Sequence, residues 1–192
     1  KVTNVVIMGM GEPLLNYENT VKAIRIIQSE LGLSISAKRI TLSTSGIAPE
    51  IYKLADERLK IKLALSLNAP DDELRRKLMP ITKKYPLSEV LEALKYYAKK
   101  NDIRITFEYV LIKDVNDSEE QALKLAKLIR GIPCKINLIT YNPIKECPYK
   151  KPDEETLMKF RDILYPRAPA VTLRRSKGED IQAACGQVKA GM

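Results

Sequence analysis

The 192 residues are 45% hydrophobic and 30% charged, the composition of a soluble globular domain large enough to bury a core, and no apolar run is long enough to span a bilayer. Thirty-three Lys and Arg against 24 Asp and Glu leave a net charge of +9, which suits phosphate-bearing partners but also serves solubility or heat tolerance. Histidine is absent, which excludes imidazole bases, His-ligated zinc and Ser-His-Asp triads.

The chain opens on Lys1-Val2-Thr3-Asn4, with neither methionine nor a leader-like segment, which points to a missing upstream part. Residues 2–8 form an apolar run with β-branched members and predict a buried strand. Val21, Ile24, Ile27 and Leu31 recur at helical spacing over residues 17–31. Residues 39–43 predict a short strand, Thr44-Ser45-Gly46 a turn, and Pro49 the first turn of a helix over 49–56. Residues 61–67 alternate as a strand, and Asp71 caps a short helix through Lys77. A helix over 87–99 carries Leu87, Val90, Leu91, Leu94 and Ala98 on one face. Ile103, Ile105, Phe107 and Tyr109 alternate in a strand over 103–111. Ser118-x-x-Gln121 is a capping box that opens a helix over 119–130. Residues 135–140 form a strand, 154–164 a helix and 171–174 a last strand. Strand and helix alternate throughout, which predicts a parallel α/β sheet of βαβ units, either doubly wound or a partial barrel. In both, functional loops gather at the carboxyl ends of strands.

Those loops carry the candidate chemistry. Gly9-Met10-Gly11-Glu12-Pro13 follows the first strand. Its glycines let a ligand approach the backbone, and its N–H groups with Glu12 suit the amino and carboxylate ends of an amino-acid-like ligand; an ordinary tight turn is the plain alternative. Ser43, in Leu42-Ser43-Thr44-Ser45-Gly46, offers a hydroxyl for ribose or carboxylate, or simply caps the next helix. Ser66 and Asn68 share a side at period two around Leu67 and suit a ribose hydroxyl or an amide. Asn142 both donates and accepts hydrogen bonds, or merely starts an Asn-Pro turn. Cys185, in Ala183-Ala184-Cys185-Gly186-Gln187, is a candidate reactive thiol on an accessible Gly-flanked loop, against the commoner role of a small core residue. Cys134 reads as buried and inert, and Cys147 carries no role. The three cysteines match neither a disulfide framework nor a CxxC metal site, so no metal ligands are assigned and a reducing cytoplasm is expected.

Six ordered strings give these loops a common context: GMGEPLLNY (9–17), RITLSTSGIAP (39–49), LALSLNAPDDELRRKLMPI (63–81), EYVLIKDVNDS (108–118), CKINLITYNP (134–143) and GEDIQAACGQ (178–187). Together they resemble the RlmN-type radical S-adenosylmethionine (SAM) adenine-C-methyltransferases of ribosomal RNA, with the Cfr enzymes as near relatives. The resemblance implies a partial (β/α) barrel, incomplete at its amino end, over residues 1–176, and a tail over 177–192 that carries the reactive cysteine. It implies that Gly11, Glu12, Ser43, Ser66, Leu67, Asn68 and Asn142 hold SAM, and that Cys185 is methylated by one SAM. A radical from a second SAM then activates the methylated sulfur for addition to carbon 2 of an adenine. The substrates implied are 23S rRNA and tRNA, with flavodoxin or ferredoxin as reductant, in a cytoplasmic monomer.

Two departures stand out. The family's Cys-x-x-x-Cys-x-x-Cys ligands for a [4Fe–4S] cluster are absent from this sequence, so the chain alone is expected to be inactive. Asn68 stands where many relatives carry histidine. Methylation at carbon 8, as in the Cfr relatives, and a non-catalytic RNA-binding domain are the alternatives.

Overall fold

The computed structural model describes residues 2–144, 147–168 and 170–174. Strands and helices alternate as β1 (Val5–Ile7), α1 (Tyr17–Gln28), β2 (Ile40–Thr44), α2 (Ala48–Asp56), β3 (Lys62–Ser66), α3 (Asp72–Leu78), α4 (Leu87–Asn101), β4 (Ile105–Leu111), α5 (Glu119–Leu128), β5 (Cys134–Thr140), α6 (Glu154–Leu164) and β6 (Val171–Arg174). The strands order as β1-β2-β3-β4-β5-β6 in one sheet, and β1 with β2, β2 with β3 and β5 with β6 pair in parallel. A strand order that follows the chain, with helical crossovers, is what successive βαβ units produce. The result is an open α/β sheet consistent with the expected partial barrel.

The chain divides into two compact units. The first joins the described residues of Lys1–Ser66 to Met79–Thr106, and the second joins Leu67–Leu78 to the described residues of Phe107–Met192.

In the first unit, Ile40 and Leu42 of β2, Leu63 and Leu65 of β3, Ile51 and Leu54 of α2, and Val90 and Leu94 of α4 are all buried. Tyr97 lies in that core and donates its hydroxyl to Ile61 O at 2.9 Å, so its one polar atom is satisfied. Two sequence expectations shorten here. Only Val5–Ile7 pairs as strand, and Val6 is 61% exposed, because β1 has β2 as its neighbour on one side of the sheet order. Helix α1 stops at Gln28, where Ser29 turns extended. Leu31 therefore lies beyond the helix and is fully exposed.

Gly46 closes the turn after β2 with φ +103°, and a Cβ there would sit 3.1 Å from Val90 Cγ1 and 3.2 Å from Leu65 Cδ1. Gly11 has φ +101° but open space around it. Gly46→Ala therefore meets both backbone strain and overpacking, and is expected to cost about 3 kcal/mol. Gly11→Ala meets strain alone, about 1–2 kcal/mol. Denaturant unfolding of the two variants checks the order, and equal losses would contradict it.

In the second unit, Tyr109 of β4 rests on Phe160 of α6, with ring centroids 5.5 Å apart. Ile136 and Leu138 of β5, Ala122 and Leu125 of α5, and Leu157 and Leu164 of α6 are buried. The Ser118–Gln121 capping box forms as expected at the start of α5. Asp153, whose side chain accepts from Thr156 N at 2.9 Å, caps α6. The alternation expected for β4 is only half of its pattern, because Glu108, between Phe107 and Tyr109, is buried as well.

Candidate cofactor-binding site

In the first unit, the loop after β1 is fastened to the loop after β2 by one carboxylate. Glu12 Oε1 accepts from Leu14 N at 3.1 Å and from Thr44 Oγ1 at 2.9 Å. Glu12 Oε2 accepts from both N and Oγ of Ser45, each at 2.6 Å. Thr44 Oγ1 in turn accepts from Gly46 N at 3.0 Å. Hydrogen bonds to an ionised carboxylate are the strong kind, so four of them fix the Gly-rich loop against the end of β2. Gly9 and Gly11 are exposed, and a Cβ at either would meet nothing within 4 Å. The backbone there lies open to a ligand. Ser43 and Ser66 are half-buried at the ends of β2 and β3. The sequence places Gly11, Glu12 and Ser43 in one site; the structure joins Glu12 to Thr44 and Ser45, which the sequence marks as a turn.

In the second unit, the Leu67–Asn68 corner is built from the inside. Leu67 is fully buried. Its N donates to Glu108 O at 2.9 Å, and its O accepts from Arg75 Nε at 3.0 Å, which leaves it a positioning role through its backbone. Asn68 takes φ +58°, a conformation that asparagine tolerates better than most residues. Its Oδ1 accepts from Val110 N at 3.0 Å and its O from Asn116 Nδ2 at 2.8 Å. Asn116 is fully buried. It also donates to Val110 O at 2.7 Å and accepts from Ile112 N at 2.7 Å. One side chain thus holds the end of β4 to the Asn68 loop. The sequence reading did not single out Asn116; its only signal was the Asn-Asp-Ser stretch before the capping box.

Arg75, the first of the three consecutive basic residues Arg75-Arg76-Lys77, departs from the exposure usual for arginine. It is fully buried, and burial lowers its guanidinium from the usual range to about 10, so it still carries its charge at neutral pH. Arg76 and Lys77 remain exposed. At the end of β5, Tyr141 N donates to Leu111 O at 3.1 Å, and the next residue, Asn142, is 4% exposed.

Cys134 is buried, and burial pushes its thiol up to about 11, the opposite of what a thiolate ligand needs. Among the described residues no group of three or more Cys, Asp or Glu could hold a metal ion. The sequence carries no Cys-x-x-x-Cys-x-x-Cys string of the kind that holds a [4Fe–4S] cluster. The open backbone at Gly9 and Gly11 and the polar strand ends do suit a ligand with amino-acid and nucleoside parts. Cys185 lies outside the described residues. No helix among the described residues is long and apolar enough to cross a membrane.

Residues 1–126 match the family model described as Radical SAM superfamily, and the chain belongs to that superfamily. Within it, the chain is 53% identical over 190 residues to the probable dual-specificity RNA methyltransferase RlmN of Dictyoglomus thermophilum, covering 99% of the chain and 55% of that protein. It is 51% identical over 189 residues to the protein of that name from Clostridioides difficile, again 55% of its length. The chain thus spans a little over half the length of these curated relatives. The crystal structure of a radical SAM methyltransferase from Sphaerobacter thermophilus superposes with TM-score 0.96 at 47% identity, over 100% of this chain and 56% of that one. A domain of a pyruvate-formate lyase-activating enzyme from Bacteroides vulgatus, at 19% identity and TM-score 0.68, shares the fold.

Proposed function

We propose that the protein to which this chain belongs methylates carbon 2 of an adenine in 23S rRNA, and in tRNA as well, with SAM as methyl donor. The observation that carries this reading is the 53% identity over 99% of the chain to a relative named as a dual-specificity RNA methyltransferase. The Glu12 clamp supports it, because four hydrogen bonds hold the Gly-rich loop in place while its glycine backbone stays open.

Gly11, Glu12, Ser43, Ser66, Leu67, Asn68 and Asn142 hold SAM in this reading. Cys185 first loses its thiol proton. Its Sγ then attacks the sulfonium methyl: the new S–C bond forms, and the old bond's electron pair stays on the departing sulfur. The products are S-methyl-Cys185 and S-adenosylhomocysteine. A thiolate is needed because the neutral thiol is a poor nucleophile. Carbon 2 of adenine is no nucleophile, so the onward transfer is one-electron chemistry supplied by a [4Fe–4S] cluster and an electron donor such as flavodoxin or ferredoxin. No cysteine set here holds that cluster, so this chain alone is expected to be inactive. The setting is the cytoplasm and the acting species a monomer.

The test is mass spectrometry of the full-length protein from SAM-replete cells. A methylated peptide containing Cys185 is expected, together with a Cys185→Ala variant that binds SAM normally and no longer methylates RNA. RNA methylation retained by Cys185→Ala would refute the assignment.

A further inference from the structure

Among the described residues of the second unit, one carboxylate oxygen is buried without a donor. Glu108 of β4 is 8% exposed, and its Oε1 accepts from Asn137 Nδ2 of β5 at 2.9 Å. Its Oε2 is buried and has no hydrogen-bond partner. Tyr109, the next residue, turns its ring onto Phe160 of α6, so strand alternation puts Glu108 on the opposite face, away from that helix. Asn137 shares this face, between Ile136 and Leu138 whose side chains are fully buried. Its register partner on β6, Thr172, is exposed. The pair therefore lies on the face of β4 and β5 that α6 does not cover.

A carboxylate oxygen withdrawn from water without a donor is costly. Replacing both residues by apolar ones would remove that cost, and strain of this kind concentrates where a ligand is to be met. Asn137 spends its donor on Oε1 and so turns the carboxylate to present Oε2. What such an acceptor lacks is an O–H or N–H. A carboxylate that accepts from a ribose hydroxyl is a recurrent device of nucleotide recognition.

We propose that Glu108, oriented by Asn137, is a binding residue for an adenosine: Oε2 accepts a hydrogen bond from a ribose hydroxyl or the exocyclic amine. The inference rests on the proposed function, in which adenosine arrives from two sources, SAM and the target nucleotide of the RNA.

The test compares Glu108→Gln with the unaltered full-length protein. Titrations use SAM, adenosine and methionine as probes, and kinetics use an RNA substrate. A loss of about tenfold or more is expected. If SAM and adenosine weaken while methionine does not, the donor belongs to the cofactor. If SAM is unaffected and KM for RNA rises by that factor, the donor belongs to the target nucleotide. Affinities and KM within twofold of the unaltered protein would overturn the proposal. Should they be accompanied by a lower melting temperature, Glu108 would be a structural partner of another protein group. The double variant Glu108→Leu/Asn137→Leu gives an independent reading: the ligand-free protein melts higher if the pair is kept for binding, and lower if it is kept for folding. Normal titrations and an unaltered KM for RNA in Glu108→Gln, beside a loss of SAM binding in Glu12→Ala, would sink this inference alone.

Discussion

Glu12→Ala in the full-length protein is expected to weaken SAM binding by about tenfold or more, which is roughly 1.4 kcal/mol, and to lower folding stability by about 2–3 kcal/mol. The argument starts from the four hydrogen bonds that the carboxylate accepts, from Leu14 N, Thr44 Oγ1 and both Ser45 N and Oγ. Alanine removes the acceptor that serves two backbone N–H groups and two hydroxyls in a partly buried turn. The loop after β1 then loses its tie to the loop after β2, and binding must order both. Glu12→Gln keeps the shape but loses the charge, and should fall between the two. Isothermal titration with SAM checks the series. Unaltered affinity in Glu12→Ala would show that the clamp is structural only.

Arg75→Ala carries the largest expected loss of stability, about 4 kcal/mol, which combines a cavity with a buried carbonyl left without its donor. Arg75 lies fully buried on α3 and donates Nε to Leu67 O at 3.0 Å. Arg76→Ala and Lys77→Ala, on the exposed side of the same helix, should stay within about 0.5 kcal/mol of the unaltered protein. Arg75→Lys keeps a charge but not the planar fork, so it should recover only part of the loss. Urea unfolding of the four variants measures this. A loss for Arg75→Ala no larger than for Arg76→Ala would remove Arg75 from the architecture of the Leu67–Asn68 corner.

The fold was largely legible because its boundaries carry local chemistry. The helix over 154–164 and the strand over 171–174 coincide with α6 and β6, and the Ser118–Gln121 box marks the start of α5. Where no capping signal sat in the sequence, apolar spacing ran on past the element's end: Leu31 continues the helical rhythm of α1 after the helix has stopped. The site was legible only in part. Glycines after a strand announce an open loop, and Gly11 and Glu12 sit in one. The capture of Glu12 by Thr44 and Ser45 joins residues 32 and 33 positions apart, and no periodicity encodes a side-chain bond at that separation. Arg75 was hidden for a related reason. In an Arg-Arg-Lys run every member looks solvated, and the carbonyl that draws Arg75 inward lies eight residues back.

The most direct test of SAM binding by the strand-end loops is hydrogen–deuterium exchange of the full-length protein with and without SAM. The account requires added protection at residues 9–14, 43–46, 66–69 and 139–142, with α1, α2 and α4 unchanged. Protection confined to those helices, or none anywhere at saturating SAM, would contradict it.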